Sequence, residues 1–108
     1  MQDVALEDPA PTRLRAALNE AYGARIGRIV LYGSRARGDA RRDSDYDIAV
    51  FLHDLQDRAA EMKKVAKLGT DILYDTGEVI HAMPFGAGTY DDPRMPRMYE
   101  IRREGIEL

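Results

Sequence analysis

The sequence predicts an α/β (α+β) domain in which one mixed sheet is backed by helices. Three observations carry that prediction. Short apolar runs, 29–32 and 48–52, are bounded by glycine or aspartate and are too short for helices. A longer stretch, 54–75, repeats its apolar residues at helical spacing. A third short run, 78–85, follows directly after the punctuation of Thr76 and Gly77.

Each element is read in chain order. Residues 1–11 hold two prolines and three acids and are expected to form a flexible lead-in to a single domain over 12–108. Thr12 reads as an N-cap, with Leu14, Ala17, Leu18, Ala21 and Tyr22 on one helical stripe and Gly23 as its stop. A buried strand over 26–32 is followed by the turn Gly33-Ser34, a helical stub at 35–37 and a polar loop to Ser44. Residues 45–52 (DYDIAVFL) form a second strand, apolar on both faces after its first three residues, as a covered central strand requires. A helix is expected over 54–75, with Gly69 as its weak point. The strand over 78–85 carries Pro84, which places its far end at an edge or terminus. A loop, a helix over 97–104 and a short strand over 106–108 complete the order α-β-β-α-β-α-β.

Composition narrows the function. At 108 residues, 44% hydrophobic and 32% charged, the chain fits one compact soluble domain. There is no cysteine, which excludes disulfides and thiolate metal sites. No apolar run reaches the roughly 20 residues that span a bilayer. The acidic start lacks the order of a signal peptide, so a cytoplasmic location is expected. Formal net charge is −3, which gives no global attraction to nucleic acid. Locally, Arg35, Arg37, Arg41 and Arg42 are interleaved with Asp39, Asp43, Asp45 and Asp47. That mixture suits a site handling both anions and cations.

Chemistry concentrates where the first two strands meet. Asp45 and Asp47, two residues apart in extended chain, point to one face and present paired carboxylates. Like charges so placed repel unless a cation intervenes, and hard oxygen donors suit magnesium, singly or as an ion pair. Gly33 lets the backbone approach a phosphate closely. Ser34 adds a hydroxyl, and Arg35 or Arg37 can screen a triphosphate. A Gly-Ser before a helix is also an ordinary cap, and Asp-x-Asp an ordinary turn. Their conjunction, with ten residues between Ser34 and Asp45 and a buried strand on each side, is what favours catalysis.

The stretch from Gly33-Ser34-Arg35-Ala36-Arg37-Gly38 to Asp45-Tyr46-Asp47-Ile48-Ala49-Val50 resembles the DNA polymerase β-like nucleotidyltransferase superfamily, in particular its minimal nucleotidyltransferase (MNT) domains. A looser likeness reaches the closing segment Ile101-Arg102-Arg103-Glu104-Gly105-Ile106. The resemblance implies the polymerase β-like fold, ATP bound with Mg2+, and transfer of AMP to a hydroxyl. It assigns Gly33 and Ser34 to phosphate and Asp45 and Asp47 to metal. It further implies an antitoxin role beside a HEPN-domain toxin, by adenylylating a toxin tyrosine or by masking the toxin.

One departure stands out. Many members carry a third carboxylate on a neighbouring strand, which helps to hold metal and can deprotonate the acceptor. Here that strand is Glu78-Val79-Ile80-His81-Ala82-Met83, and His81 or Glu78 is the candidate replacement. The alternative is an antitoxin with little or no activity that acts by binding alone. Because catalysis must orient an acceptor as well as a nucleotide, a second polypeptide or another copy of this chain is expected to finish the site. Met83, Phe85, Tyr90, Met95, Met98 and Tyr99 are candidates for that contact or for the core.

Overall fold

The computed structural model describes residues 8–108. The first helix, α1 (Pro9–Tyr22), leads through a 3-10 turn into β1 (Ile26–Tyr32). The stub α2 (Ser34–Arg37) and a polar loop connect to β2 (Tyr46–Leu52). Helix α3 (Arg58–Thr76) crosses to β3 (Ile80–Gly86). A second 3-10 turn then precedes α4 (Pro96–Glu104) and β4 (Ile106–Glu107). The sheet order is β3-β2-β1-β4, with β2 parallel to β3 and the other pairs antiparallel. The mixed sheet backed by helices is therefore as the sequence predicts. Among the described residues, no helix is long and apolar enough to cross a membrane.

Helix α1 starts at Pro9, ahead of the expected Thr12. Prolines are tolerated in a first turn because its N–H groups have no intrahelical partner. Pro9 holds the first helical position, and Ala10 and Pro11 are buried, so residues 9–11 belong to the packed domain rather than to a lead-in. The rest of that lead-in, 1–7, lies outside the described residues. Helix α3 starts later than expected, where Asp57 accepts a hydrogen bond from the Ala60 N–H at 3.1 Å. It runs unbroken through Gly69, which sits against the carbonyl of Ile80.

Strand alternation sends β2 into two cores. Tyr46, Ile48, Val50 and Leu52 join Ile29 and Leu31 beneath α1 and α3, where Leu14, Leu18, Val65 and Ile72 meet them. On the other face Ala49 and Phe51 join Val30, Phe85 and the α4 residues Met98 and Ile101. Each large aliphatic side chain so buried contributes about 1.5–3 kcal/mol. The central-strand reading of β2 is thus realised. Of the residues expected at a contact or in the core, Met98 and Phe85 are core, whereas Tyr99 remains exposed.

Pro84 does lie on an edge strand, and its position there has a consequence. Val79 accepts from the Tyr46 N–H at 2.9 Å, so alternation turns Ile80, Ala82 and Pro84 to the free edge. Pro84 has no N–H to offer, and its carbonyl is taken by Arg58 at 2.8 Å. The edge is blunted against pairing with another strand.

Candidate active site

Asp47 stands on the α4 side of the sheet, paired across β1 with Tyr32 and across β3 with His81. Gly33 follows Tyr32 directly and turns the chain with φ 79° and ψ −159°. The turn lies so close to Asp47 that a Cβ on Gly33 would collide with the carboxylate Oδ2. Glycine is required there twice over, by dihedral and by contact. The backbone bend and the acidic side chain therefore share one spot.

Asp45 sits just ahead of β2 rather than within it, and its Oδ2 lies 3.7 Å from Nε2 of His81. Burial raises the pKa of Asp47 above its ordinary value. The nearby charge of Asp45 pushes the same way, while His81, Arg37 and Arg97 pull it down. A half-buried carboxylate that resists ionisation next to a second acid is the electrostatic setting in which a cation is welcome. Among the described residues, no three acids or histidines gather closely enough to hold a metal by themselves. Two carboxylates with room for water and substrate oxygens fit a hard ion such as Mg2+, which rarely occupies an all-protein cage.

Tyr46, between the two aspartates, points into the opposite core and is 2% exposed. Its hydroxyl donates to Asp8 at 2.6 Å, and the guanidinium of Arg35 lies 4.3 Å from its ring centre. The residue separating the acids thus anchors both to α1 and to the connecting loop.

The two arginines near Ser34 do different work. Arg35 donates to the carbonyl of Ser44 at 2.8 and 3.1 Å and to that of Arg42 at 3.1 Å, and it approaches Glu78 at 3.8 Å. Its guanidinium holds the 38–45 loop and does not line the cleft. Arg37 does line it, bonded to Glu104 at 3.1 Å and to Asp39 at 3.3 Å. Ser34 is the first helical residue of α2, with Gly33 in the capping position, so its hydroxyl is not used as a cap. Of the two candidate replacements for a third acid, His81 is beside the aspartates and Glu78 is turned to Arg35.

The cleft, about 450 Å³, runs between this turn and α4. Its far wall comprises Arg97, Glu100 and Glu104, of which only Glu104 falls in a segment with a family likeness, and the sequence assigns none of them a site role. Their spacing of three and four along a helix is the available signal, because Met98 and Ile101 fill the opposite, buried stripe. Tyr32 completes the wall. Burial raises the pKa of its hydroxyl and Asp47 adds to the rise, against a hydrogen bond and charge from Arg97. Arg97 also borders a neighbouring apolar hollow of about 450 Å³ beside Met83, Phe85 and Met95.

A mixed sheet sets a glycine turn against the Asp47 carboxylate, with Arg37 and Arg97 alongside, an arrangement suited to a phosphate and a cation together. The chain belongs to the nucleotidyltransferase-domain family, whose model matches residues 12–93. A protein of Methanocaldococcus jannaschii that carries the provisional name protein adenylyltransferase is 36% identical over 77 residues, which is 71% of each chain. Solved structures share the fold. One provisionally described as a minimal nucleotidyltransferase superposes with a TM-score of 0.60 at 23% identity, covering 100% of this chain and 97% of the other. A toxin–antitoxin structure with AMP-PNP superposes with a TM-score of 0.58 at 18% identity, covering 87% of this chain and 68% of that one.

Proposed function

We propose that this nucleotidyltransferase uses Mg2+ and ATP to transfer AMP to a hydroxyl of a protein partner, and that it serves as the antitoxin of a HEPN-type toxin. The observation that carries the reading is the contact of the Gly33 turn with the Asp47 carboxylate, which supports a backbone that would bind phosphate beside oxygens that would bind metal. The name of the Methanocaldococcus jannaschii relative supports the reaction, and the toxin–antitoxin neighbours support the setting.

Asp45 and Asp47 would hold the metal, which when bound supplies charge neutralisation for the phosphoryl oxygens. Ser34 and the Gly33 backbone take the phosphates. Arg37 supports them from within the cleft, while Arg35, the other arginine the sequence offers for nucleotide binding, serves by fixing the loop that delivers Asp45. The acceptor oxygen bonds to the α-phosphorus, the α–β bridging P–O bond breaks, and pyrophosphate leaves with the electron pair. The acceptor proton passes to solvent or to His81, which flanks Asp47 across β3. The hollow beside Met83 and Met95 lies next to the cleft and offers apolar surface for the acceptor side chain.

Intact mass of a co-purified HEPN-domain partner, measured after incubation with ATP and Mg2+, tests the proposal. A gain of one AMP that disappears in Asp45→Asn and Asp47→Asn is expected. On the neighbouring strand β3 a histidine, His81, stands beside the pair where many relatives of the fold are expected to carry an acid, which favours a second reading, in which the chain neutralises its partner by contact alone. Tight co-purification with unchanged mass would select that second reading and overturn the first.

A further inference from the structure

The anion-binding part of the cleft already contains an anion. Oε1 of Glu104, at the end of α4, accepts from the Gly33 N–H at 3.2 Å and from Nη1 of Arg37 at 3.1 Å. One oxygen thus occupies a backbone donor of the phosphate-binding turn and the arginine beside it. The Glu104 side chain is 11% exposed, against 46% for Arg37, so the carboxylate is set into the wall rather than waving from it. Gly105 then packs so tightly on Val30 and the Ile101 carbonyl that no larger residue fits, which fixes where α4 ends and where Glu104 is presented.

We infer that Glu104 is a built-in phosphate placeholder: its carboxylate engages Gly33 and Arg37 while the nucleotide is absent, and an incoming triphosphate must take Arg37 from it. This rests on the nucleotide reading of the cleft given above. The Nε of this guanidinium already serves Asp39 at 3.3 Å, so a phosphate oxygen has to compete with Glu104 for Nη1 or crowd a third negative group onto one cation. The contact therefore sets a threshold on nucleotide affinity. It also ties the site to the α4–β4 end of the domain, because any movement of that end alters how firmly Arg37 is held.

Glu104→Gln separates this role from a purely structural one. The amide oxygen still accepts from Gly33, but the charge opposing the triphosphate is gone. Calorimetric titration with ATP and Mg2+, without an acceptor, is expected to show tighter binding by roughly 2- to 5-fold, the range set by a partly exposed ion pair. In an Arg37→Gln background the gain should vanish, since the competition is for that guanidinium. Glu107→Gln, which removes the same charge from β4 where Glu107 pairs with Arg28, should bind ATP as the wild type does. Equal or weaker binding by Glu104→Gln, when the wild type binds, overturns the placeholder and leaves the nucleotide site standing. No ATP binding by either protein overturns both.

Discussion

Gly33→Ala probes the claim that turn and carboxylate meet. The glycine's φ of 79° and ψ of −159° lie in a region that other residues occupy only at about 1–3 kcal/mol of strain. An added methyl would also strike Oδ2 of Asp47. That oxygen ends a side chain with two torsions and can swing aside, for roughly 1 kcal/mol of off-rotamer geometry. The combined destabilisation is about 2–4 kcal/mol, which lowers the Tm of a domain this size by roughly 10–30 °C. Thermal unfolding followed by circular dichroism measures it. Repeating the substitution on Asp47→Ala removes the collision and keeps the dihedral strain, so the two changes should couple by about 1 kcal/mol. Equal losses in both backgrounds would refute the shared spot. A Tm close to that of the wild type would refute the need for glycine altogether.

Two further perturbations follow from the same site. Tyr46→Phe deletes the 2.6 Å hydrogen bond to Asp8 while keeping the buried ring, and should destabilise by about 1–1.5 kcal/mol. A thermal melt decides it, and an unchanged Tm would mean that α1 is held without Tyr46. Asp47→Asn should be at least as stable as the wild type at pH 7. Burial raises the Asp47 pKa above its ordinary 3.8, so the folded state binds that proton more tightly than the unfolded chain does. The stabilisation is then complete below 3.8 and is lost as pH rises through the native value. Denaturant titrations from pH 3 upward should show the variant and the wild type converging at low pH, and a wild type that gains on the variant as pH rises would contradict the assignment.

Much of this was legible because β1 and β2 are defined by short-range pattern. A strand apolar on both faces has to be central, and the residues flanking its start then have to stand at the end of the sheet. Gly33 and Asp47 could therefore be placed together before any coordinates. The choice between Arg35 and Arg37 could not, because both follow Ser34 within one turn and differ only in what the distant Ser44 and Glu104 offer them. Arg97, Glu100 and Glu104 escaped for a related reason. On a short surface helix, mixed charges three and four apart resemble a solvated face, and only the packing of Met98 and Ile101 against the sheet turns that face into a wall. The start of α1 is hidden in the sequence because prolines read as breakers unless they fall in a first turn.

The charges gathered at the cleft also bear on how it can bind ATP. Asp47, Glu100 and Glu104 line the cleft with Arg37 and Arg97, Asp45 stands beside His81, and Arg37 is already engaged by both Asp39 and Glu104. A triphosphate approaching these walls alone meets more negative charge than positive, and the raised pKa of Asp47 shows that ionising that acid is already opposed by burial and by Asp45. Divalent charge brought by the nucleotide relieves both repulsions at once. By linkage, if Asp45 and Asp47 hold a cation as proposed, whatever the nucleotide does for that cation the cation would do equally for the nucleotide. On the proposed reading, the domain would favour the metal–nucleotide complex over free ATP because of its own excess of carboxylates.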